Sequence, residues 1–195
     1  MLSDVGPIGV VLAGGRGRRI GGDKAIVELD ARPLIEYPLA AVGAVLDSVA
    51  IVAKRDTALP ALRGAATVWL EPDEPRHPMA GVVHALRVAE GRGVVVVAGD
   101  MPLIGPELIR RLAFAAADGR PAVVPRAGGR LQPLCARYEP EALAAMEGFD
   151  PSAPATEIAA ALKPAVMEFE DELPFFSVNA PEDLLQASAL LAGAE

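Results

Sequence analysis

The fold is decided by a glycine-rich stretch near the N-terminus, Leu12-Ala13-Gly14-Gly15-Arg16-Gly17-Arg18-Arg19-Ile20-Gly21-Gly22-Asp23-Lys24. It directly follows the apolar run Ile8–Leu12, which is typical of a buried strand. Glycines lack Cβ, so their backbone N–H groups can approach phosphate oxygens closely. Arg19 and Lys24 can supply fixed positive charge to a polyphosphate. The stretch therefore predicts a phosphate-binding loop at the end of the first strand.

Two common phosphate loops are excluded by the spacing of this stretch. A Walker loop needs Ser or Thr after its lysine, and Lys24 precedes Ala25. A dinucleotide fingerprint read from Gly15 and Gly17 would need glycine where Ile20 stands. A flexible, solvated basic loop is the alternative, although such a loop would not need so many glycines directly after a buried strand.

Strand-like and helix-like segments alternate along the rest of the chain. The predicted strands are Ile8–Leu12, Val49–Ala53, Thr67–Leu70, Val94–Ala98, Pro121–Pro125, Leu131–Tyr138 (after a hairpin turn at Gly128-Gly129) and Ala165–Phe169. The predicted helices are Pro33–Leu46, Ala80–Glu90, Pro106–Ala117, Pro140–Glu147, Thr156–Leu162 and Pro181–Leu191. This alternation predicts a three-layer α/β fold with a mostly parallel central sheet. In such a sheet, ligands bind outside the carboxyl ends of the strands.

Composition limits the classes of function. The 195 residues are 52% hydrophobic and 23% charged, which favours one globular domain over residues 1–195. No apolar run is long enough for a bilayer, and Met1–Pro7 lacks the features of a signal peptide, so a cytoplasmic protein without membrane contact is expected. The net charge of −8 argues against nucleic-acid binding. The cationic loop in an acidic chain instead indicates a small anionic ligand.

Cysteine and histidine offer little catalytic chemistry. The single cysteine, Cys135, allows no intramolecular disulfide and is expected to be a small buried hydrophobe. His77 and His84 are too few for a histidine-rich metal centre, and a zinc site built from carboxylates stays open.

An acidic residue follows the most apolar predicted strand. Val94–Ala98 runs into Gly99-Asp100-Met101-Pro102, so Asp100 lies at the carboxyl end of a central strand. Mg²⁺ needs only one or two protein carboxylates when phosphates and waters complete its octahedron. Asp100 is therefore a candidate metal ligand. The alternative is a turn-forming aspartate before Pro102.

The loop and this acidic segment together resemble molybdenum cofactor guanylyltransferases. Every fixed position of that family's loop motif is matched, namely Leu12, Ala13, Gly14, Gly15, Arg19, Gly21, Asp23 and Lys24. The Gly-Asp-Met-Pro string is similar to the family's metal-binding segment. Relatives that use CTP typically have Ala at the position of Gly14, so the resemblance favours GTP.

Three further segments are similar to the family. Pro78-Met79-Ala80-Gly81 resembles its Pro-Leu-Ala-Gly, which implies that Gly81 lies near the base. Here His77 replaces the family's usual Gly and, as a lone histidine, is expected to be solvent-exposed. Among the acids Glu71, Asp73 and Glu74, Asp73 is chosen as the match to a family nucleotide contact.

The other two segments would line the acceptor side. Gln132 lies in Arg130-Leu131-Gln132-Pro133-Leu134, which read physically is only a strand after a turn. Asn179 matches one of two family asparagines, and Ser177 replaces the other. Asn179 could instead be a helix N-cap with Glu182 as its capping-box partner.

The resemblance implies transfer of GMP from GTP to the phosphate of molybdopterin, with release of pyrophosphate. It implies Mg²⁺ as cofactor, GTP and molybdopterin as partners, and molybdoenzyme apoproteins or chaperones as further candidates. Lys24, Arg19 and Asp100 are the expected catalytic residues, and Asp23 would orient Lys24 or Arg19 or be a turn residue. The alternatives are a CTP-using enzyme, another small phosphate acceptor, and a binding adaptor without catalysis.

Overall fold

The computed structural model describes residues 6–14, 16–17, 22–61 and 66–193, and for 16–17 and 22–24 it describes the backbone alone. The strands in chain order are β1 (Ile8–Leu12), β2 (Arg16–Gly17), β3 (Gly22–Asp23), β4 (Glu28–Leu29), β5 (Arg32–Pro33), β6 (Val49–Ala53), β7 (Thr67–Leu70), β8 (Val94–Ala98), β9 (Ala122–Ala127), β10 (Arg130–Leu131), β11 (Cys135–Tyr138) and β12 (Ala165–Phe169). The helices are α1 (Glu36–Gly43), α2 (Pro78–Val88), α3 (Pro106–Phe114), α4 (Ala142–Met146), α5 (Ala155–Ala161) and α6 (Pro181–Ala192).

One sheet of eight strands forms the centre, in the order β10-β9-β11-β8-β1-β6-β7, with β12 paired to β9. The pairs around β1 are all parallel, and β12 is parallel to β9. The strand β11 is antiparallel to both β8 and β9. The predicted α/β fold with a mostly parallel sheet is therefore confirmed.

The four valines of β8 show why helices cover both faces of the sheet. Val95 and Val97 belong to a core cluster with residues of α1 and α3, whereas Val94 and Val96 belong to a cluster with residues of α2, α4 and α5. Successive side chains of a strand point to opposite faces, so a strand covered on both faces is apolar at every position. Each of these buried valines contributes about 2 kcal/mol of hydrophobic stabilisation.

Some predicted boundaries are wrong because turns and caps intervene. Helix α1 begins at Glu36 and not at Pro33, since Arg32–Pro33 pairs with Glu28–Leu29 in a hairpin. The predicted strand Leu131–Tyr138 is divided, because only Cys135–Tyr138 joins β8. The hairpin turn itself is confirmed, with Gly128 and Gly129 at φ values of +54° and +73°.

The C-terminal helix α6 packs apart from the two main clusters. Leu29 and Leu34 form a small third cluster with Val178 and Ala187, and this cluster ties α6 to the β4–β5 hairpin. In the described part of the chain, no helix combines the length and apolarity needed to cross a membrane.

Candidate active site

The carboxyl ends of β1 and β8 meet at the point where the order of strands reverses. Strand β1 lies between β6 and β8, and α1 and α2 cover opposite faces of the sheet. Gly99 N–H donates to the Leu12 carbonyl at 2.9 Å. A Cβ at Gly99 would lie 2.9 Å from that same oxygen, so the two strand ends can approach this closely only with glycine there. Crevices of this kind are where α/β sheets bind ligands.

A cleft of about 320 Å³ opens at this point. Of the predicted nucleotide contacts, the cleft is lined by Leu12, Ala13, Gly14, Gly81 and Asp100. These residues come from three segments that are distant in sequence, and the fold brings them to one cavity as predicted. The N–H of Ala13 is already used, because it donates to the Val52 carbonyl at 2.9 Å.

The cationic part of the glycine-rich loop lies largely outside the described residues. Gly15 and Arg19 belong to the undescribed positions, and for Asp23 and Lys24 the backbone is described without the side chain. Lys24 begins a short 3₁₀ helix, Lys24–Ile26, and Ala25 of that helix lines the cleft. The predicted roles of Arg19, Asp23 and Lys24 remain predictions.

Glu71 is the acid of the loop after β7 that lines the cleft. Asp73, the sequence-based choice, is exposed and is not among the lining residues, so its assignment stays a prediction. Glu71 is 9% exposed and Lys54 is 8% exposed. The Lys54 Nζ lies 3.4 Å from Glu71 Oε1 and also donates to the Pro72 carbonyl at 2.5 Å. The sequence does contain a signal that could have identified Lys54 as a site residue, because this charged residue directly follows the apolar strand β6.

The second oxygen of Glu71 is buried beside Gly81. Within the described part of the chain, Oε2 has no partner, and it lies beside Gly81, where a Cβ would come within 3.6 Å of it. Burial raises the pKa of Glu71, and the nearby Lys54 ammonium only partly opposes this shift. A buried acceptor without a partner is rare in folded proteins, and a ligand donor could satisfy it.

A second, wider cleft of about 840 Å³ adjoins the first. It is lined by the predicted acceptor-side residues Gln132 and Asn179, and also by Ser177. Asp100 lines both clefts, as do Ala98 and Leu134. A group bound in one cleft can therefore meet a group bound in the other beside the Asp100 carboxylate.

Asp100 is held in place through its backbone. Its carbonyl accepts the Val178 N–H at 2.9 Å, which fixes the segment containing Ser177 and Asn179 against the end of β8. Among the described residues, no three His, Cys, Asp or Glu side chains form a metal-holding group. The half-buried carboxylate of Asp100 fits a cation that takes most of its ligands from phosphates and water, as Mg²⁺ does.

The alternative role of Asn179 as an N-cap is wrong. The N-cap of α6 is Ala180, and the Asp183 carboxylate, not that of Glu182, accepts the N–H groups of Asn179 and Ala180 at 2.7 and 2.9 Å. The helix is thus capped from within its first turn. The exposed Asn179 side chain donates to the Ser177 carbonyl at 3.1 Å.

His77 is half-buried, so the expectation of a solvent-exposed side chain is wrong. It is the N-cap of α2, and its Nδ1 accepts the Met79 N–H at 3.2 Å. Burial lowers the pKa of His77, and a hydrogen bond with the backbone of Ala153 partly offsets this. Cys135 is buried, as expected.

Comparison with known proteins agrees with this geometry. The family model described as MobA-like NTP transferase domain matches residues 9–165. A molybdenum cofactor guanylyltransferase from Cereibacter sphaeroides is 37% identical over 94% of this chain and 96% of its own length. A probable molybdenum cofactor guanylyltransferase from Natronomonas pharaonis is 34% identical over 94% of this chain and 98% of its own.

Solved structures share the fold. Molybdopterin-guanine dinucleotide biosynthesis protein A from Archaeoglobus fulgidus superposes with a TM-score of 0.71 at 24% identity, covering 95% of this chain and 98% of the other. The 2-C-methyl-D-erythritol 4-phosphate cytidylyltransferase from Thermus thermophilus gives a TM-score of 0.67 at 22% identity, over 95% and 99%. By its sequence and the extent of the match, the chain belongs to the MobA-like NTP transferase family.

Proposed function

We propose that this chain transfers GMP from GTP to the phosphate of molybdopterin and forms a molybdopterin guanine dinucleotide. The observation that carries the proposal is the position of Asp100 where the two clefts join. A nucleotide in the smaller cleft and a phosphorylated acceptor in the larger one would present their reacting phosphates to the same carboxylate. The names of the curated relatives support this choice of donor and acceptor.

The reaction needs no general base. A phosphate monoester has a second pKa of about 6 and is mostly a dianion at pH 7. One of its oxygens forms the new bond to the α-phosphorus of GTP, the bond from that phosphorus to the β-phosphate breaks, and pyrophosphate leaves. The protein then has to align the two substrates and neutralise their charge. Neither task needs a histidine base, which agrees with a chain that has only two histidines.

The residues divide this work among them. Backbone N–H groups of Gly14 and Gly15 hold the β- and γ-phosphates, and Arg19 and Lys24 offset charge on the transferring and leaving groups. Asp100 would hold Mg²⁺, which when bound polarises the α-phosphate and stabilises pyrophosphate.

Selection of guanine is assigned to the buried carboxylate of Glu71. Guanine presents two adjacent donors, N1–H and the 2-amino group, and a carboxylate oxygen can accept from them. Cytosine presents a single amino donor beside an acceptor. The Oε2 of Glu71, buried beside Gly81 and without a partner among the described residues, supports a donor-rich base in this cleft.

The test is pyrophosphate release with Mg²⁺ and each of GTP, CTP, ATP and UTP, with and without molybdopterin. Release with GTP that requires the acceptor is expected. Release with CTP alone would keep the chemistry and overturn the base assignment. GTP binding without release would support the adaptor, and Asp100→Asn should abolish the Mg²⁺-dependent turnover of an active enzyme.

A further inference from the structure

His77 joins parts of the chain that are distant in sequence. Its Nδ1 caps α2 through Met79, and its ring lies 5.2 Å, centroid to centroid, from the Phe149 ring at an angle of 49°. The imidazole also forms a hydrogen bond with the backbone of Ala153. Because Nδ1 accepts a hydrogen bond, the neutral ring carries its proton on Nε2. One side chain thus holds both the start of α2 and the segment 149–153.

The two sides of this contact belong to different clefts. His77 lines the smaller cleft. The segment 149–153 leads into α5, and Ala155 and Thr156 at the start of that helix line the larger cleft. The imidazole therefore links the wall of the smaller cleft to the segment that leads into the wall of the larger one.

The segment that His77 contacts leads into a helix without a side-chain cap. Asp150 Oδ1 accepts both the N–H and the hydroxyl of Ser152 at 2.8 Å, so the turn is ordered internally. The N-cap of α5 is Pro154, and no side chain caps this helix. Ile158 and Ala159 anchor α5 in the core cluster that also contains residues of α2, and Phe149, in the segment that precedes the first turn, contacts His77.

We propose that His77 is a positioning residue that keeps the acceptor-side wall in register with the nucleotide-side wall. The proposal rests on the assignment of the two clefts under the proposed function. In-line transfer demands that the attacking and leaving oxygens be aligned, and displacements of about 1 Å can cost about a hundredfold in rate. A link of this kind tunes alignment without touching either substrate's reacting atoms.

The test variant is His77→Asn, because asparagine can still accept the Met79 N–H as an N-cap but cannot reach Phe149 as a ring. The kcat should fall and the KM for molybdopterin should rise, so that kcat/KM for this acceptor drops about two- to tenfold, the scale of one aromatic contact. The melting temperature should stay within about 2 °C of the wild type, and the Kd for GTP should change less than the kcat/KM for molybdopterin does. Phe149→Leu should give the same drop in kcat/KM, and the double variant should not add to it.

The matched control is His84→Asn, which makes the same change on α2 at a half-buried residue that lines neither cleft. It should leave the kcat/KM for molybdopterin unchanged. Equal changes in KM for both substrates together with a lower melting temperature would mean that His77 is only a structural cap. Additive effects of His77→Asn and Phe149→Leu would also overturn the proposal.

Hydrogen exchange separates this proposal from the assignment of the acceptor. In His77→Asn with GTP bound, the amides of residues 150–156 should exchange several-fold faster, while those of Val94–Ala98 stay protected. Faster exchange in an enzyme that rejects molybdopterin would keep the link and refute the proposed acceptor. Unchanged exchange would refute the link, whatever the acceptor.

Discussion

Replacing Glu71 with Gln tests most directly whether the Glu71 carboxylate selects guanine. The substitution keeps the shape of the side chain but removes its charge and places an amide where one oxygen stood. Glu71 is 9% exposed and its Oε2 has no hydrogen-bond partner among the described residues, so a bond from guanine to this carboxylate would form away from water. A hydrogen bond to a charged group contributes about 1.5–3 kcal/mol, so the Kd for GTP should rise about 10- to 150-fold.

The assay is calorimetric titration with a GTP analogue that cannot be transferred, in the presence of Mg²⁺. CTP titrated in parallel should show a much smaller change, since it offers one donor to this position. Asp73→Asn is the matched variant, because Asp73 is an exposed acid of the same loop. If Glu71→Gln binds GTP within about threefold of the wild type and Asp73→Asn loses affinity, the sequence-based choice of Asp73 is right and the argument from burial is refuted.

The pH dependence of stability and of GTP affinity also tests the role of Glu71, and its direction follows from the pKa. Burial raises the pKa of Glu71 above the ordinary glutamate value of 4.5, so the folded state favours the protonated form more than the unfolded chain does. The contribution of Glu71 to the free energy of unfolding is complete at pH values below its pKa in the unfolded chain. It is lost as the pH rises through its pKa in the folded protein. GTP affinity should behave oppositely and fall as pH drops through the folded pKa. Glu71→Gln should remove both dependences.

Three further predictions follow from other parts of the site and fold. Lys24→Ala should lower turnover by about a hundredfold or more, as expected for loss of a preorganised charge, and turnover near the wild-type rate would exclude its catalytic role. Gly99→Ala should lower turnover at least about tenfold, because its Cβ would meet the Leu12 carbonyl at 2.9 Å; normal kinetics would mean that the strand ends separate freely. Arg137→Met should destabilise the fold by about 2–4 kcal/mol in urea unfolding, because Arg137, 7% exposed, pairs with Glu139 at 2.7 Å and satisfies carbonyls at the end of α3; a loss below about 1 kcal/mol would contradict this.

The sequence predicted the central strands because burial on both faces leaves a strong signal. Ile8–Leu12, Val49–Ala53 and Val94–Ala98 have the predicted bounds. Helix ends were less predictable, since they depend on contacts between segments. The start of α2 at Pro78 needs the His77 cap, and the late start of α1 needs a hairpin whose partner strands have only two residues each.

Some cleft residues could likewise be predicted from local sequence, whereas others could not. Gly14, Gly81 and Asp100 stand in motifs that local sequence marks, and each lines the cleft. Glu71 and Lys54 form a site only because β6 and β7 are neighbours, with Ala53 opposite Leu70 in the register. No spacing along the chain encodes that adjacency, so the sequence could offer three acids in the loop and no physical ground to choose among them.

The Lys54–Glu71 pair also indicates why a charge is buried there at all. A buried ion pair seldom stabilises a fold more than apolar side chains of the same size would, and the raised pKa of Glu71 means that Lys54 does not repay the cost of burying this carboxylate. Local rules are broken in this way mainly at functional sites. A guanine that donates to Oε2 would offset part of the cost of burying this carboxylate. Binding of guanine would therefore be favoured over binding of a base that offers fewer donors.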